Sequence, residues 1–346
     1  MQKENLPVSI IVRTKDRPVL LKHAIKSIAQ QTYRPIEVVL VNDGGCDLDI
    51  GELRLILGDI ALNYIRLDEN RGRAHAGNAG IENAHGDYIG FLDDDDEFYP
   101  EHVETLAAFL SQSDYKVAYT DAEMVFRKYD VDIVEYTDEE KYVFSSRDFS
   151  FHELLLENYI PFINVLFHRD VFPCVGRLDE QLIAFEDWDF FIRCGSIHPF
   201  SHVDKVTAKY IQWSKEQQIA QCREFWSILD KEYDKVIGKH CDLFSPKTVR
   251  SLRDAFKALS AGKDELAAAV SESQREISQM NMRATQDRIL LDNLYKRNTE
   301  LEEALKDREE YIRRIQSGRG WWLLLKYYKV RDRLFAALHS AAKVKS

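Results

Sequence analysis

The sequence predicts an α/β fold, with a mixed, mostly parallel sheet flanked by helices, followed by a long α-helical coiled coil. Three observations carry this. Short β-branched apolar runs alternate with helically spaced segments early in the chain, the pattern of a parallel sheet. A heptad repeat runs in register from Leu252 to Ile315. The 346 residues, 45% hydrophobic and 30% charged, suffice for two domains of roughly 150 residues each.

The elements follow in order. Val8–Val12 is an apolar strand, and Pro18 to Gln31 is a helix with Leu21, Ile25 and Ile28 on one face. Ile36–Val41 is a near-continuous apolar run, interrupted by Glu37, of the kind buried on both sheet faces. Asn42-Asp43-Gly44-Gly45 ends it as a turn. Tyr64–Leu67 reads as a strand, Ala74 to Ala84 as a helix and Tyr88–Leu92 as another strand. In such sheets ligands sit past the carboxyl ends of the strands. Thr14, Asp16, Asp43 and Asp93–Asp96 all fall there.

Three domains are expected: 1–240, the α/β domain; 250–316, the coiled coil; and 319–346, a basic amphipathic tail. Nineteen a and d positions run from Leu252 to Ile315, and fourteen are apolar. As one helix this stretch would be roughly 100 Å long. Lys263 and Asn298 fall at a positions, and a buried a-position Asn commonly fixes a parallel dimer. Homo-oligomerisation is the expectation, with a helix folded back on the body as the alternative.

Charge is unevenly spread. The net charge is −11, from 47 basic and 58 acidic residues. Residues 319–346 hold seven basic residues and one acid, leaving 40 basic against 57 acidic in the rest. An acidic body argues against nucleic acid as a partner. The tail places Trp321, Leu324 and Tyr328 beside a face carrying Lys326, Lys329 and Arg333, as in interfacial membrane helices. No apolar run approaches the ~20 residues of a membrane span. Met1–Pro7 lacks the apolar core of a signal peptide. Five scattered cysteines form no CxxC pair, so a reducing cytosol is expected, with peripheral contact at the inner face of the cell membrane.

Four adjacent carboxylates, Asp93–Asp96, mean either a solvated turn or a cation. Hard divalent ions take carboxylate oxygens and bridge to substrate phosphates. Glu186-Asp187 taken alone is a helix start, where acids suit the dipole.

Five motifs in order resemble the family 2 glycosyltransferases of GT-A fold. They are Val8–Arg17, Val41–Gly44, Asn70-Arg71-Gly72 with Asn78-Ala79-Gly80, Gly86–Asp96, and Glu186-Asp187-Trp188-Asp189. The resemblance spans about residues 5 to 215. It implies that Thr14, Asp16 and Asp43 hold the base and ribose of a nucleotide sugar, that Arg71 approaches the diphosphate, and that Asn78 belongs to the same donor-binding segment. It also implies that Asp93 and Asp95 are the family's Asp-x-Asp pair, with Asp95 as metal ligand and Asp93 shared between metal and ribose. The metal would be Mn²⁺ or Mg²⁺. Asp187 matches the catalytic base of inverting transfer, with Glu186 positioning acceptor or base.

The chain departs from the pattern at several places. Arg13 stands where the family usually has Pro, and Gly77 where an Arg often precedes Asn78. Tyr210–Trp213 replaces a frequent Tyr-Arg-x-His, so no histidine ligand is evident; His198 and His202 read as structural. No Gln-x-x-Arg-Trp signature occurs, so single-sugar transfer is expected rather than polymerisation. The expected acceptor is a glycan or lipid-linked glycan of the surface-polysaccharide or O-antigen type. The alternative is a coiled-coil scaffold with a degenerate transferase-like head; a nucleotidyltransferase is a third reading.

Overall fold

The computed structural model describes residues 5–130, 135–144, 147–213 and 222–244, a discontinuous set of positions from 246 to 275, and 288–317. The chain forms two compact units, Met1–Cys241 and Asp242–Ser346. The expected tail, 319–346, lies outside the described residues. No helix among the described residues is long and apolar enough to cross a membrane.

The first unit is built on one sheet. Four parallel strands form its first half: β1 (Val8–Thr14), β2 (Ile36–Asn42), β3 (Ala61–Arg66) and β4 (Tyr88–Asp93), in the order β3-β2-β1-β4. Every residue of β1 is buried, the polar Ser9, Arg13 and Thr14 included, as befits a strand covered on both faces. β3 starts three residues before the sequence-predicted strand. Ala61–Asn63 lies at the sheet edge and is only partly buried, so it carries no strong apolar signal.

The second half was not legible as strands. It comprises β5 (Glu97–Phe98), β6 (Val117–Asp130), β7 (Glu135–Phe144), β8 (Val165–His168) and β9 (Phe200–Trp213). From β4 the order continues β8-β6-β9-β5, and β7 pairs outside β6. Four strand pairs among the described residues are parallel and four antiparallel, so the sheet is evenly mixed rather than mostly parallel. The reversed β8, the β6–β7 pair and the β5–β9 pair account for the difference.

Helices cover the sheet: α1 (Pro18–Ala29), α2 (Ile50–Leu57), α3 (Arg73–Glu82), α4 (His102–Ser111), α5 (Phe151–Leu154), α6 (Val171–Val175) and α7 (Glu186–Gly195). Pro18 suits the first turn of α1, where its missing N–H costs nothing. Asp49 caps α2 by accepting from the Glu52 N–H at 2.9 Å. Phe162, Phe167, Phe190, Phe191 and Phe200 interlock edge-to-face between β8, β9 and α7. That packing fixes α7 against the sheet.

In the second unit, helix Arg288–Ser317 is continuous. Gln274 Nε2 donates to Glu302 Oε1 at 3.2 Å, and Lys263 pairs with Glu309 at 3.4 Å. A single straight helix would separate Gln274 from Glu302 by about 42 Å, at 1.5 Å per residue. The 263–274 and 302–309 segments therefore run antiparallel, and the stretch is not one rod. Val270 and Ile312 are buried within this unit.

Candidate active site

The register sets the site. Arg13 lies opposite Asp93 and Thr14 opposite Asn42, so the carboxyl ends of β1, β2 and β4 finish side by side. The turns beyond these ends carry the polar residues.

Asp43 follows β2 and is buried. Its Oδ1 accepts from the Arg71 N–H at 2.8 Å and its Oδ2 from the Gly72 N–H at 2.9 Å. One carboxylate thus holds the 70–72 loop. Gly44, at φ +66°, lets the β2 turn approach that loop; a Cβ there would meet the Asn70 nitrogen at 2.3 Å. Arg66, Glu69 and Arg71 line a second, open cavity of about 360 Å³ on this side. Asp16 sits in the left-handed region at φ 57°, and its Oδ1 accepts from the Cys46 N–H at 2.8 Å. Thr14 is buried and donates to Asp94 Oδ2 at 2.7 Å.

Asn78 is placed differently. Its amide nitrogen donates to the Leu178 carbonyl at 3.0 Å and to Glu180 at 2.9 Å, and its oxygen accepts from the Leu178 N–H at 2.9 Å. The carboxamide is a clamp between α3 and the 178–180 loop.

The four aspartates have four environments. Asp93 Oδ1 accepts from Arg13 Nη2 at 2.6 Å and Nε at 3.2 Å. Burial pushes its pKa up, but the Arg13 charge and hydrogen bonds outweigh that and hold it below the usual carboxylate range. Asp94 is pushed up to about 6, chiefly by burial. Asp95 pairs with Arg17 at 2.9 Å. Asp96 is buried, accepts from the Ile211 N–H at 2.7 Å, and ties the run to β9.

Across the crevice, α7 begins at the Glu186-Asp187 pair. Phe185 precedes it at φ 63°, a left-handed conformation that a bulky residue rarely adopts. Glu186 is buried, with Oε1 3.0 Å from Arg13 Nη1 and Oε2 3.2 Å from Arg73 Nη2. Asp187 Oδ2 accepts from the Asn158 amide at 2.9 Å, and Oδ1 from the Trp188 N–H at 2.8 Å. Its pKa is pushed up to about 6, first by desolvation and then by the Glu186 charge, against the opposing pull of Arg73.

Arg13, Arg73, Asp93, Asn158, Glu186, Asp187 and Tyr210 line one cavity of about 130 Å³, walled by Phe144, Ile160 and Phe162. The structure thus brings Asp93, Glu186 and Asp187 to one crevice, while Asp95 is not among the residues that line it. Asn158 and Arg73 carry no signal in the sequence, and Arg13 and Tyr210 stand out there only as departures from the family pattern. Nothing local marks Asn158, which meets Asp187 from 29 positions away.

No cluster of three or more metal-type side chains occurs among the described residues. A cation shared with a diphosphate needs only one or two carboxylates. Asp95 fits that requirement, since its partner Arg17 is half-exposed and can swing away.

The fold and crevice define a GT-A-like α/β enzyme in which Asp93 faces the Glu186-Asp187 pair across one cavity. The pattern of Glycosyl transferase family 2 matches residues 9–176. A Haemophilus influenzae protein named as an uncharacterized glycosyltransferase is 30% identical over 192 residues, covering 55% of this chain and 72% of that protein. The glycosyltransferase YwdF of Bacillus subtilis is 27% identical over 210 residues, covering 59% and 74%. Among solved structures, Staphylococcus aureus TarS 1–349 in complex with UDP-GlcNAc is similar with a TM-score of 0.51 at 16% identity, covering 88% of this chain and 92% of that one. The chain spans 39% of a longer TarS structure. The chain belongs to glycosyl transferase family 2 and is a glycosyltransferase.

Proposed function

We propose that this enzyme transfers a single sugar, with inversion, from a nucleotide-diphosphate sugar to a hydroxyl of a glycan or lipid-linked glycan acceptor. One observation carries the reading: Asp187, its pKa raised to about 6, and Asp93, at the end of β4, line the same crevice.

Asp187 takes the acceptor hydroxyl's proton as that oxygen attacks the anomeric carbon. Asn158 and the Trp188 N–H hold the carboxylate in place. Asn158 Oδ1 is buried with no hydrogen-bond partner among the described residues, and is available to a second acceptor hydroxyl. Glu186, fixed by Arg13 and Arg73, adds the negative charge that keeps Asp187 basic. Inverting transfer needs only one such base.

On the donor side, Asp43 and Asp16 order the turns facing the base and ribose, Thr14 braces Asp94, and Arg71 faces the diphosphate. Asn78 contributes by holding the 178–180 loop. Asp95, with Asp93 beside it, would hold Mn²⁺ or Mg²⁺, which supplies charge neutralisation for the departing nucleoside diphosphate. The UDP-GlcNAc complex of the similar TarS structure supports a uridine nucleotide as the first donor to try.

The surface-polysaccharide acceptor, homo-oligomerisation through 250–316, and cytoplasmic location with peripheral membrane contact through 319–346 rest on the heptads and on the basic tail. Removing 319–346 should release the protein from anionic vesicles; undiminished binding would refute the membrane role. For the chemistry, Asp187→Asn is the direct test. It should keep nucleotide binding and lose transfer, whereas retained transfer would remove Asp187 as the base.

A further inference from the structure

We infer that Arg13 is a positioning residue that couples the donor side of the crevice to the acceptor side, an inference that rests on the transfer reading above. Its guanidinium is buried and makes four hydrogen bonds to three groups. Nη2 and Nε donate to Asp93 Oδ1 at 2.6 and 3.2 Å, and Nη1 donates to Glu186 Oε1 at 3.0 Å and to the Arg73 carbonyl at 3.3 Å. The same group lies over the Phe162 ring, 5.4 Å from its centroid.

These contacts join the ends of β1 and β4, the first residue of α3, and the first residue of α7. Asp93 stands on the donor side of the proposed site. Glu186 is the neighbour of the proposed base. A single rigid fork therefore sets the spacing between the two halves.

The fork is needed. Two carboxylates facing one cavity repel, and a buried carboxylate without a partner is costly. Lysine offers a single point charge and cannot hold both groups at fixed angles. Small displacements of a reacting pair reduce rates steeply, about 10²-fold for 1 Å.

Gly77 lies beside the Arg13 side chain and makes room for Leu178. A Cβ at 77 would sit 3.8 Å from Arg13 Cδ and only 2.5 Å from Leu178 Cδ1. Positions 13 and 77 thus point at one volume. In this chain the cation enters it from β1, and Leu178 closes over the bare glycine. The two departures noted in the sequence, Arg13 and Gly77, are two parts of one arrangement.

The test uses full-length protein, UDP and UDP-GlcNAc, with other nucleoside diphosphates and their sugars if the wild type prefers them. With water as the acceptor, nucleotide released by donor hydrolysis gives kcat and KM, and the melting temperature reports the fold. Arg13→Lys keeps the cation. It should melt within about 5 °C of the wild type, yet lose about tenfold or more in kcat, because one ammonium cannot hold both carboxylates. Arg13→Met should lose about 10²-fold per folded molecule. Combining Arg13→Met with Glu186→Gln should cost less than the two single losses summed, as expected for coupled groups.

Arg13→Lys with kcat and KM within about threefold of wild type would overturn the inference. So would losses that track only the folded fraction. A folded wild type that binds no nucleotide sugar of the panel would instead refute the transfer reading itself.

Discussion

The Asn158 amide donates to the Asp187 carboxylate at 2.9 Å, across 29 positions of sequence. The bond fixes the carboxylate that lines the cavity and leaves its orientation to one neighbour and the start of α7. Replacing Asp187 by Asn should lower transfer by about 10²–10⁴-fold, the usual worth of a general base. Nucleotide affinity should be unchanged, because the base does not face the donor. Steady-state kinetics beside calorimetry separates the two.

The pH profile follows from the same group. Asp187 faces Glu186, Arg73 and Tyr210, with Arg13 and Asp93 on the same cavity wall. It acts only when ionised. With its pKa raised to about 6, kcat/KM should fall tenfold per pH unit below about pH 6. The sign for stability is opposite to that of an ion-paired acid. A carboxylate whose folded pKa is raised binds its proton more tightly in the native state, so its contribution is lost as pH rises toward 6. Asp187→Asn should therefore melt no lower than wild type at pH 7. A clearly lower melting temperature would contradict this.

Arg17, 2.9 Å from Asp95 Oδ2, would compete with a metal cation for that carboxylate. Arg17→Ala should tighten Mn²⁺-dependent nucleotide binding, and Asp95→Ala should abolish the Mn²⁺ enhancement. Removing the metal with a chelator should reproduce the Asp95→Ala result. Calorimetry with UDP, with and without Mn²⁺, measures each.

Asp189 anchors α7 from its buried face. It accepts from Arg193 at 2.9 Å, Lys239 at 2.6 Å and His240 at 3.0 Å. Desolvation opposes its charge, but these partners hold its pKa well below the usual range. Asp189→Ala should destabilise by about 3 kcal/mol, at the lower end for buried pairs because Lys239 and Arg193 remain partly hydrated. A lowered folded pKa means the contribution is present above the unfolded value near 4 and lost as pH falls through the lowered one. The gap between wild type and variant should close only in strong acid.

The sequence made some parts legible for physical reasons. β1, β2 and β4 were readable because short, largely β-branched or aromatic apolar runs closed by turn residues fit strands covered on both faces. The strands from β6 to β9 were not, because their identity lies in antiparallel pairings between distant segments. Residues 122–130 of β6 pair with 135–144 of β7, and that pairing brings Phe144 to the cavity wall. Carboxylates past strand ends were found by position and motif. Their partners were not, since Arg13, Asn158 and Arg73 meet them only through the fold. Asn78 was recognised as belonging to the site, but its hydrogen bonds make it a clamp. The heptad repeat predicted helix correctly over Arg288–Ser317, yet periodicity is blind to a reversal of chain direction, which the Gln274–Glu302 contact reveals.

The central claim is that this crevice binds a nucleotide sugar through its aspartates. Titration of the full-length protein with a panel of nucleoside diphosphates and nucleotide sugars, with and without Mn²⁺, tests it most directly. The account predicts Mn²⁺-dependent binding of one nucleotide class, weakened by Asp95→Ala and unaffected by Asp187→Asn. Folded protein that binds no member of the panel would contradict it.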